Sequence, residues 1–402
     1  MNQLVPLRAS LRLLSAAIPG LVLAGTAGAM EIPYDYLVPL TPENAIIGHF
    51  SSTKKPVLTV ASGAIVKING GGGGQAMRGD NPDPVKWLAD NNIPSTPETL
   101  VCLQETARVQ KETPKLPGRP GGHLLVGPIA IEGAEPGDML EVRILDVSPR
   151  ITFGNTGDTP GHGALTLGSA TPAAPAGAGA GGVRGGTGPG GVLRPFGKIT
   201  ILDLKRNVGI FDKGIEVPLK PFMGVMATCP PDSEGPDRGS TEPGTFGGNL
   251  DCAELGAGAT LYLPIYQKGA LFYTGDSHAG QGDGEVTGTA IETADACTLQ
   301  FILHKGVTLK MPRAETPTHF ITFGLDKDLN LAMRQAVVET IDFLKEHRGL
   351  DQLKAYALSS IAVDFHVTQV VDVTLGVHGM IPKRVFVDEA IPYWYRPVPP
   401  EL

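Results

Sequence analysis

Aromatic side chains make up only 6% of the 402 residues, and two of them are tryptophan. Cysteine is also sparse. Cys102, Cys229, Cys252 and Cys297 lie far apart and no C-x-x-C occurs, so a zinc ribbon is unsupported, and pairing or burial as free thiols both stay open. Positive charge is in deficit, with 33 Lys and Arg against 41 Asp and Glu and a net charge of −8. That balance argues against nucleic acid and against an anionic membrane as partners. After the N-terminal stretch no apolar run approaches the roughly 20 residues of a membrane helix. The chain also lacks two common signatures. The glycine run Gly70–Gly74 is not followed by Lys-Ser/Thr, which removes the P-loop reading, and no G-x-S-x-G elbow occurs.

Turn formers are abundant instead, at 53 glycines and 35 prolines. Mean hydropathy of +0.03 and a 42% hydrophobic content describe a folded globular chain. Arg8 and Arg12, the apolar run 13–24 and the small residues Ala27-Gly28-Ala29 have the order of a signal peptide, residues 1–29. A secreted or periplasmic protein follows as the expectation, two units more negative once those arginines are lost. The catalytic region is then 30–402, divisible into subdomains of about 30–220 and 221–402. Residues 170–191 are a Gly/Ala/Pro-rich stretch without apolar anchors, expected as an insertion in a surface loop.

Strand patterns dominate. Residues 57–60, 64–68, LLVGPIAIEG and the alternating MLEVRILDV read as strands, and 81–119 as irregular, Pro-rich chain. Residues 261–265, 270–274, 285–291 and 298–304 read as an antiparallel meander. Near the C-terminus, helical spacing from Leu329 to Leu344, with Asp326 or Asp328 as cap and Gly349 as stop, predicts a long helix, and a second helix follows over about 350–362. The fold expected is mainly β, with sandwich- or barrel-like sheets, an antiparallel meander and a few helices near the C-terminus; α+β is the alternative.

Polar chemistry concentrates in GDSHAGQGDGE, residues 275–285, expected as a loop between strands. Asp276 and His278 are two apart, as are Asp283 and Glu285, so each pair projects to one side where the chain is extended. A bland reading is a solvated acidic turn, but strand pairing does not require His beside Asp, Gln281 and Glu. Asn249 and Asp251 end the preceding loop, where a turn role competes with ligation. Glu132 sits in an otherwise apolar strand, where burial would raise its pKa into the range of a general acid; an exposed edge position is the competing reading. His123 is a ligand candidate or a polar strand start. His49 and His162 stay undecided, and His304, His319, His347, His366 and His378 are expected to be structural.

The segments GPIAIEGAEPGDMLEV, PFMGVMATCPP, TEPGTFGGNLD, LYLPIYQKGALFYTGDSHAGQGDGEVTGTAIE and SSIAVDFHVTQVVD resemble the acetamidase/formamidase family, in family order from about 123 to 385. The resemblance implies a mainly-β, oligomeric hydrolase of short amides with a bound divalent ion, zinc expected ahead of calcium. Asp251, His278 and Glu285 are the expected ligands. Glu132, Glu285 and His278 are the expected catalytic groups, and Asp276, Gln281, Asp283 and Asn249 the substrate-binding ones. Such an ion lowers the pKa of bound water and polarises the amide carbonyl, and N–H groups of the glycine run would support the oxyanion. Expected partners are a small amide and further copies of the chain, with no nucleic acid and no membrane after signal cleavage. The alternatives are an exported binding protein without turnover and a covalent amidase using Ser277 or Cys229.

Overall fold

The computed structural model describes residues 32–77, 82–117, 121–158, 163–164, 196–387, 391 and 393–395. The expected signal peptide 1–29, the insertion 170–191 and His162 lie outside these. From Ile32 onward the described residues form one compact unit.

Alternation of apolar and polar side chains builds two large sheets that share one core. Among the described residues, the first sheet has nine strands, in the order Tyr36–Val38, Ile65–Asn69, Asp295–His304, Met139–Pro149, Thr260–Pro264, Arg313–Glu315, His319–Asp326, Leu375–Pro382 and Asp364–Gln369. The second runs Gly247–Asn249, Phe222–Ala227, Phe272–His278, Leu124–Ile131 and Ala45–Ile47, with Leu58–Val60 also paired to Leu124–Ile131. In the strand MLEVRILDV, Leu140, Val142 and Ile144 are fully buried and meet Phe272, Met226 and Ile129 of the other sheet. The rings of Phe272 and Phe301 touch edge-on across this core, 4.9 Å apart. The expected mainly-β, antiparallel architecture is therefore present, and strands from both sides of residue 220 alternate within each sheet.

Two local expectations change. The segments between 260 and 304 are antiparallel to their neighbours but do not neighbour one another: Thr260–Pro264 and Asp295–His304 belong to the first sheet and Phe272–His278 to the second, while 285–291 is not a strand. Consecutive strands thus cross between layers, which periodicity along one segment does not encode. The stretch 81–119 is not irregular throughout but carries helices Pro84–Asp90 and Pro97–Glu112. Its prolines misled because they stand at the first turn, where no N–H is needed. Asp83 and Thr96 cap the two helices, accepting from Lys86 N–H and Thr99 N–H. Thr99, Cys102, Leu103, Thr106 and Val109 form the buried face of the longer helix. Thr106 Oγ1 accepts the Gly72 N–H at 3.1 Å, fixing the glycine run. Arg150 completes that attachment, donating to Gly70 O at 2.9 Å and to Glu98 and Glu105 on the helix.

The C-terminal helices are as the sequence indicates. Leu329–Arg348 is capped by Asp328 and closed by Gly349 in the left-handed region, and Gln352–Ala362 follows, capped by Asp351. Among the described residues no helix is long and apolar enough to cross a membrane.

Candidate active site

Strands Phe222–Ala227 and Phe272–His278 run antiparallel, with Phe222 opposite His278 and Val225 opposite Gly275. Gly224 and Asp276 fall between these pairs. Asp276, two residues before His278, shares its face of the strand, although its φ of +59° departs from extended backbone. The first part of GDSHAGQGDGE is therefore the end of a strand and only the rest is a loop, a correction to the expected loop. His278 is buried, its ring edge-on to Phe222 at 5.0 Å. Each of its nitrogens faces acid: Nδ1 lies 3.9 Å from Asp251 Oδ1, and Nε2 lies 3.4 Å from Asp276 Oδ2 and 3.2 Å from Glu292 Oε1. His123 Nε2 approaches Asp276 Oδ2 at 3.9 Å. Ligand atoms of Asp251, Glu285 and Asp372 lie within 4.8 Å of one another, as do those of His278, Glu285 and Glu292 and those of Asp251, Asp276 and His278.

Backbone strain accompanies the convergence. Asp251, Asp276 and Glu285 all have positive φ, at 46°, 59° and 44°, and Val373 beside Asp372 has 67°. Left-handed non-glycine residues cost of order 1–3 kcal/mol each and persist where the surroundings fix them. Here Asp251 N–H donates to Gly224 O at 3.3 Å and Gln281 Nε2 donates to Asp251 O at 2.7 Å. Gly224 leaves the necessary space: a Cβ there would meet Asp276 Oδ2 at 2.6 Å and His278 Cε1 at 3.0 Å, and would collide with Asp251 Oδ1.

The charges separate into two kinds. Burial opposes protonation of His278, yet Glu292 and Asp276 raise its pKa well above the ordinary value. Burial likewise opposes ionisation of Asp276, but His123 and His278 outweigh it and hold the carboxyl below its usual range. Asp251 and Glu285 go the other way, raised by burial and by neighbouring acids. Asp372 is pushed up to about 6, mainly by burial. An imidazolium–carboxylate pair therefore adjoins a set of acids that resist ionising together. Asp251 Oδ1, His278 Nδ1 and Asp372 Oδ2 are buried without a hydrogen-bond partner.

A family model, the Acetamidase/Formamidase family, matches residues 119–234 and 238–388. The chain belongs to the acetamidase/formamidase family. It is accordingly a hydrolase of amide C–N bonds. It is 28% identical over 330 residues to a formamidase from Methylophilus methylotrophus, covering 66% of this chain and 77% of that protein. A crystal structure of an acetamidase from Bacillus halodurans superposes with TM-score 0.64 at 26% identity, covering 87% of this chain and 98% of that one. An acetamidase from Yersinia enterocolitica gives 0.66 at 25% identity, covering 89% and 95%.

Within this amidase, Asp251, Asp276, His278 and Glu285 are brought together. Gln281 stands beside them, bonded to the Asp251 carbonyl, and Asn249 is buried on strand Gly247–Asn249 with Oδ1 unpartnered. Two expectations fail. Glu132 is exposed on the turn after strand Leu124–Ile131, its N–H bonded to Val60 O, and belongs to none of the acid groups. The apolar strand that suggested a buried carboxylate ends one residue earlier. Asp283 parts from Glu285 and pairs with His366 at 2.8 Å, because the chain bends between them at Gly284, φ +96°. Sequence reasoning passed over Gly224, Glu292 and Asp372. Of these only Gly224 left a signal, a glycine inside the apolar strand FMGVMA.

A cavity of about 430 Å³ opens beside the cluster. Gly71–Gly74 and Asn155 form one wall, and His123, Asp276, Ser277 and Glu292 another. Beneath it Asp295 begins strand Asp295–His304, fully buried with both carboxylate oxygens unpartnered. Burial raises its pKa well above the ordinary value. An unfolded Asp titrates near 3.9, so above that pH folding requires proton uptake and stability falls until the folded pKa is passed. Asp295→Asn abolishes this dependence. The melting-temperature difference, variant minus parent, is expected to grow between pH 4.5 and 7.5; a constant difference would show that Asp295 ionises freely in the fold.

Proposed function

We propose that the chain hydrolyses small carboxamides to carboxylate and ammonia in the cavity bounded by Gly71–Gly74, Asp276 and Glu292. The observation that carries this is His278, buried with acids at both ring nitrogens, two of which, Asp276 and Glu292, line the cavity. The names of the relatives support amides as small as formamide and acetamide.

The donor set fits a divalent cation. Asp251 Oδ1 and His278 Nδ1 face each other at 3.9 Å, both buried without partners, and Asp372 Oδ2 is likewise orphaned. Asp251, His278, Glu285 and Asp372 would hold the ion, and one nitrogen among oxygens suits zinc or a harder metal. When bound, it would supply Lewis acidity for the amide carbonyl and for water. The remaining steps belong to side chains. Glu292, a third exposed and 3.2 Å from His278 Nε2, has access to the cavity and accepts the proton of the attacking water. It returns that proton to the departing nitrogen, the role expected of Glu132. His278 keeps Glu292 and Asp276 oriented. Gly70 and Gly72 N–H groups are already bonded to Asp295 O and Thr106 Oγ1, which leaves Gly71, Gly73 and Gly74 as oxyanion donors.

Ser277, its Oγ unpartnered, is the rival nucleophile lining the cavity. Cys229 is buried beside Ala130 and Leu271, its thiol pushed up to about 12 by burial, which disfavours the thiolate. Exposed Leu353, Tyr356 and Ile361 on helix Gln352–Ala362 support self-association of copies of the chain.

Ammonia release from formamide, acetamide and longer amides tests the reading. Prolonged chelation is expected to abolish turnover, and Zn²⁺ or another divalent ion to restore it. Full activity in verified metal-free protein, lost in Ser277→Ala, would favour the covalent route; no turnover on any amide would favour a binding protein.

A further inference from the structure

A second group of ligating side chains lies outside the acid cluster. His366 on strand Asp364–Gln369 stands directly opposite His378 on strand Leu375–Pro382. Both imidazoles therefore share one face of the sheet, stacked with centroids 5.2 Å apart and planes 12° from parallel. Asp283 reaches them from the loop, its Oδ2 2.8 Å from His366 Nδ1. One ligand atom from each of Asp283, His366 and His378 lies within 4.8 Å of the other two.

The histidine pair is more than a surface ion pair because of His378. Its side chain is fully buried, Nδ1 is hydrogen-bonded to Thr368 Oγ1 at 2.8 Å, and Nε2 has no partner although it is shut off from solvent. Burial also holds its pKa down to about 4, so the ring is neutral, the form that ligates metals. An imidazole oriented by a hydroxyl on one nitrogen and left open on the other is the usual state of a metal-binding histidine.

We propose that Asp283, His366 and His378 form a divalent metal site of the zinc class, separate from the Asp251–His278 cluster. Two imidazoles and a carboxylate are a three-ligand set with a fourth position open to water. Tetrahedral zinc places its ligand atoms about 3.4 Å apart, a spacing within the 4.8 Å separation here.

The site bears on the amidase through the backbone of Gly284. Its N–H donates to Thr368 O at 3.0 Å and its carbonyl accepts from Val370 N–H at 3.1 Å, so the loop is docked on the strand that carries His366. Asp283 lies on one side of that dock and Glu285 on the other. An ion joining Asp283 to the two histidines fixes the loop and, through one intervening residue, the position of Glu285.

The test is metal counting on the full-length protein. Metal-depleted parent, His366→Gln and Asp251→Asn are equilibrated with Zn²⁺, and separately with Co²⁺, then freed of unbound ion. The proposal expects one ion per chain to be lost in His366→Gln and retained in Asp251→Asn, with the matching Co²⁺ visible band lost in the former. It expects Zn²⁺ to raise the melting temperature of Asp251→Asn above that of the same variant without metal. His366 is partly exposed, and Asp283→Asn is the second variant should His366→Gln fail to fold by circular dichroism. Equal metal content in the parent, His366→Gln and Asp283→Asn overturns the proposal. Loss of the same ion in His366→Gln and Asp251→Asn alike overturns it too, since that would mean a single shared site.

Discussion

Gly224→Ala is expected to lower kcat for amide hydrolysis by roughly 10²–10⁴-fold, the range for loss of a positioned acid/base group, in a protein that still folds. The new methyl would occupy the space between Asp251 Oδ1, Asp276 Oδ2 and His278 Cε1. None of these can retreat easily. Asp251 is held through its N–H and its carbonyl, and His278 is wedged against Phe222. The strand itself gains from the change, since alanine has less backbone entropy to lose than glycine, so thermal stability should fall far less than activity. The check is kcat on a small amide with melting temperature and metal content beside it. A variant with kcat within a few-fold of the parent would mean that the acids and His278 do not act as one site.

The second large effect is expected from the pair Glu285→Gln and His278→Ala, each again lowering kcat by about 10²–10⁴-fold, with opposite signatures in the stability of the metal-free protein. Glu285 is raised well above its ordinary pKa by burial, so at neutral pH the fold bears the cost of a carboxylate that prefers to be protonated. Glutamine removes that cost and should hold or raise the melting temperature at pH 7. His278 is the opposite case. Its raised pKa contributes stability that is fully present below about 6.5, the unfolded value, and is lost as pH rises through the folded value. Alanine forfeits it and leaves Asp276 and Glu292 facing each other, so His278→Ala should melt lower, most of all at acid pH. Loss of stability in both variants with little loss of kcat would reduce the cluster to a structural polar core.

The legible parts of this chain are those in which local pattern and tertiary role coincide. Alternation in MLEVRILDV marks a strand with one buried face, and Asp328 and Gly349 bracket a helix, because both signals are local. Asp251, His278 and Glu285 were legible as a set because two of them lie in one segment and the third ends a loop. Asp372 was not. VTQVVDVTL reads as one uninterrupted strand, whereas the ladder stops at Gln369 and Val373 takes a left-handed conformation that a β-branched residue rarely adopts. Nothing in the run Val370–Thr374 announces that turn; it is imposed by the packing that brings Asp372 against Asp251 and Glu285. Glu132 erred for the converse reason, since an apolar run says where a strand is but not at which residue it ends.

The interleaving of the two sheets has a consequence for how the enzyme is made. His123, Asp251, His278 and Asp372 span some 250 positions of chain, and the strand that precedes Asp372 closes the far edge of the nine-stranded sheet. On a ribosome, everything through helix Gln352–Ala362 is synthesised before the last acid exists. Non-local pairing of this kind is slow, because loop closure must precede the contacts that reward it. Hydrolytic competence is therefore acquired late, and a nascent or C-terminally clipped chain holds most of the sandwich without the complete acid set. Turnover then serves as a reporter of finished synthesis and folding, one that spectroscopic measures of β-structure would anticipate.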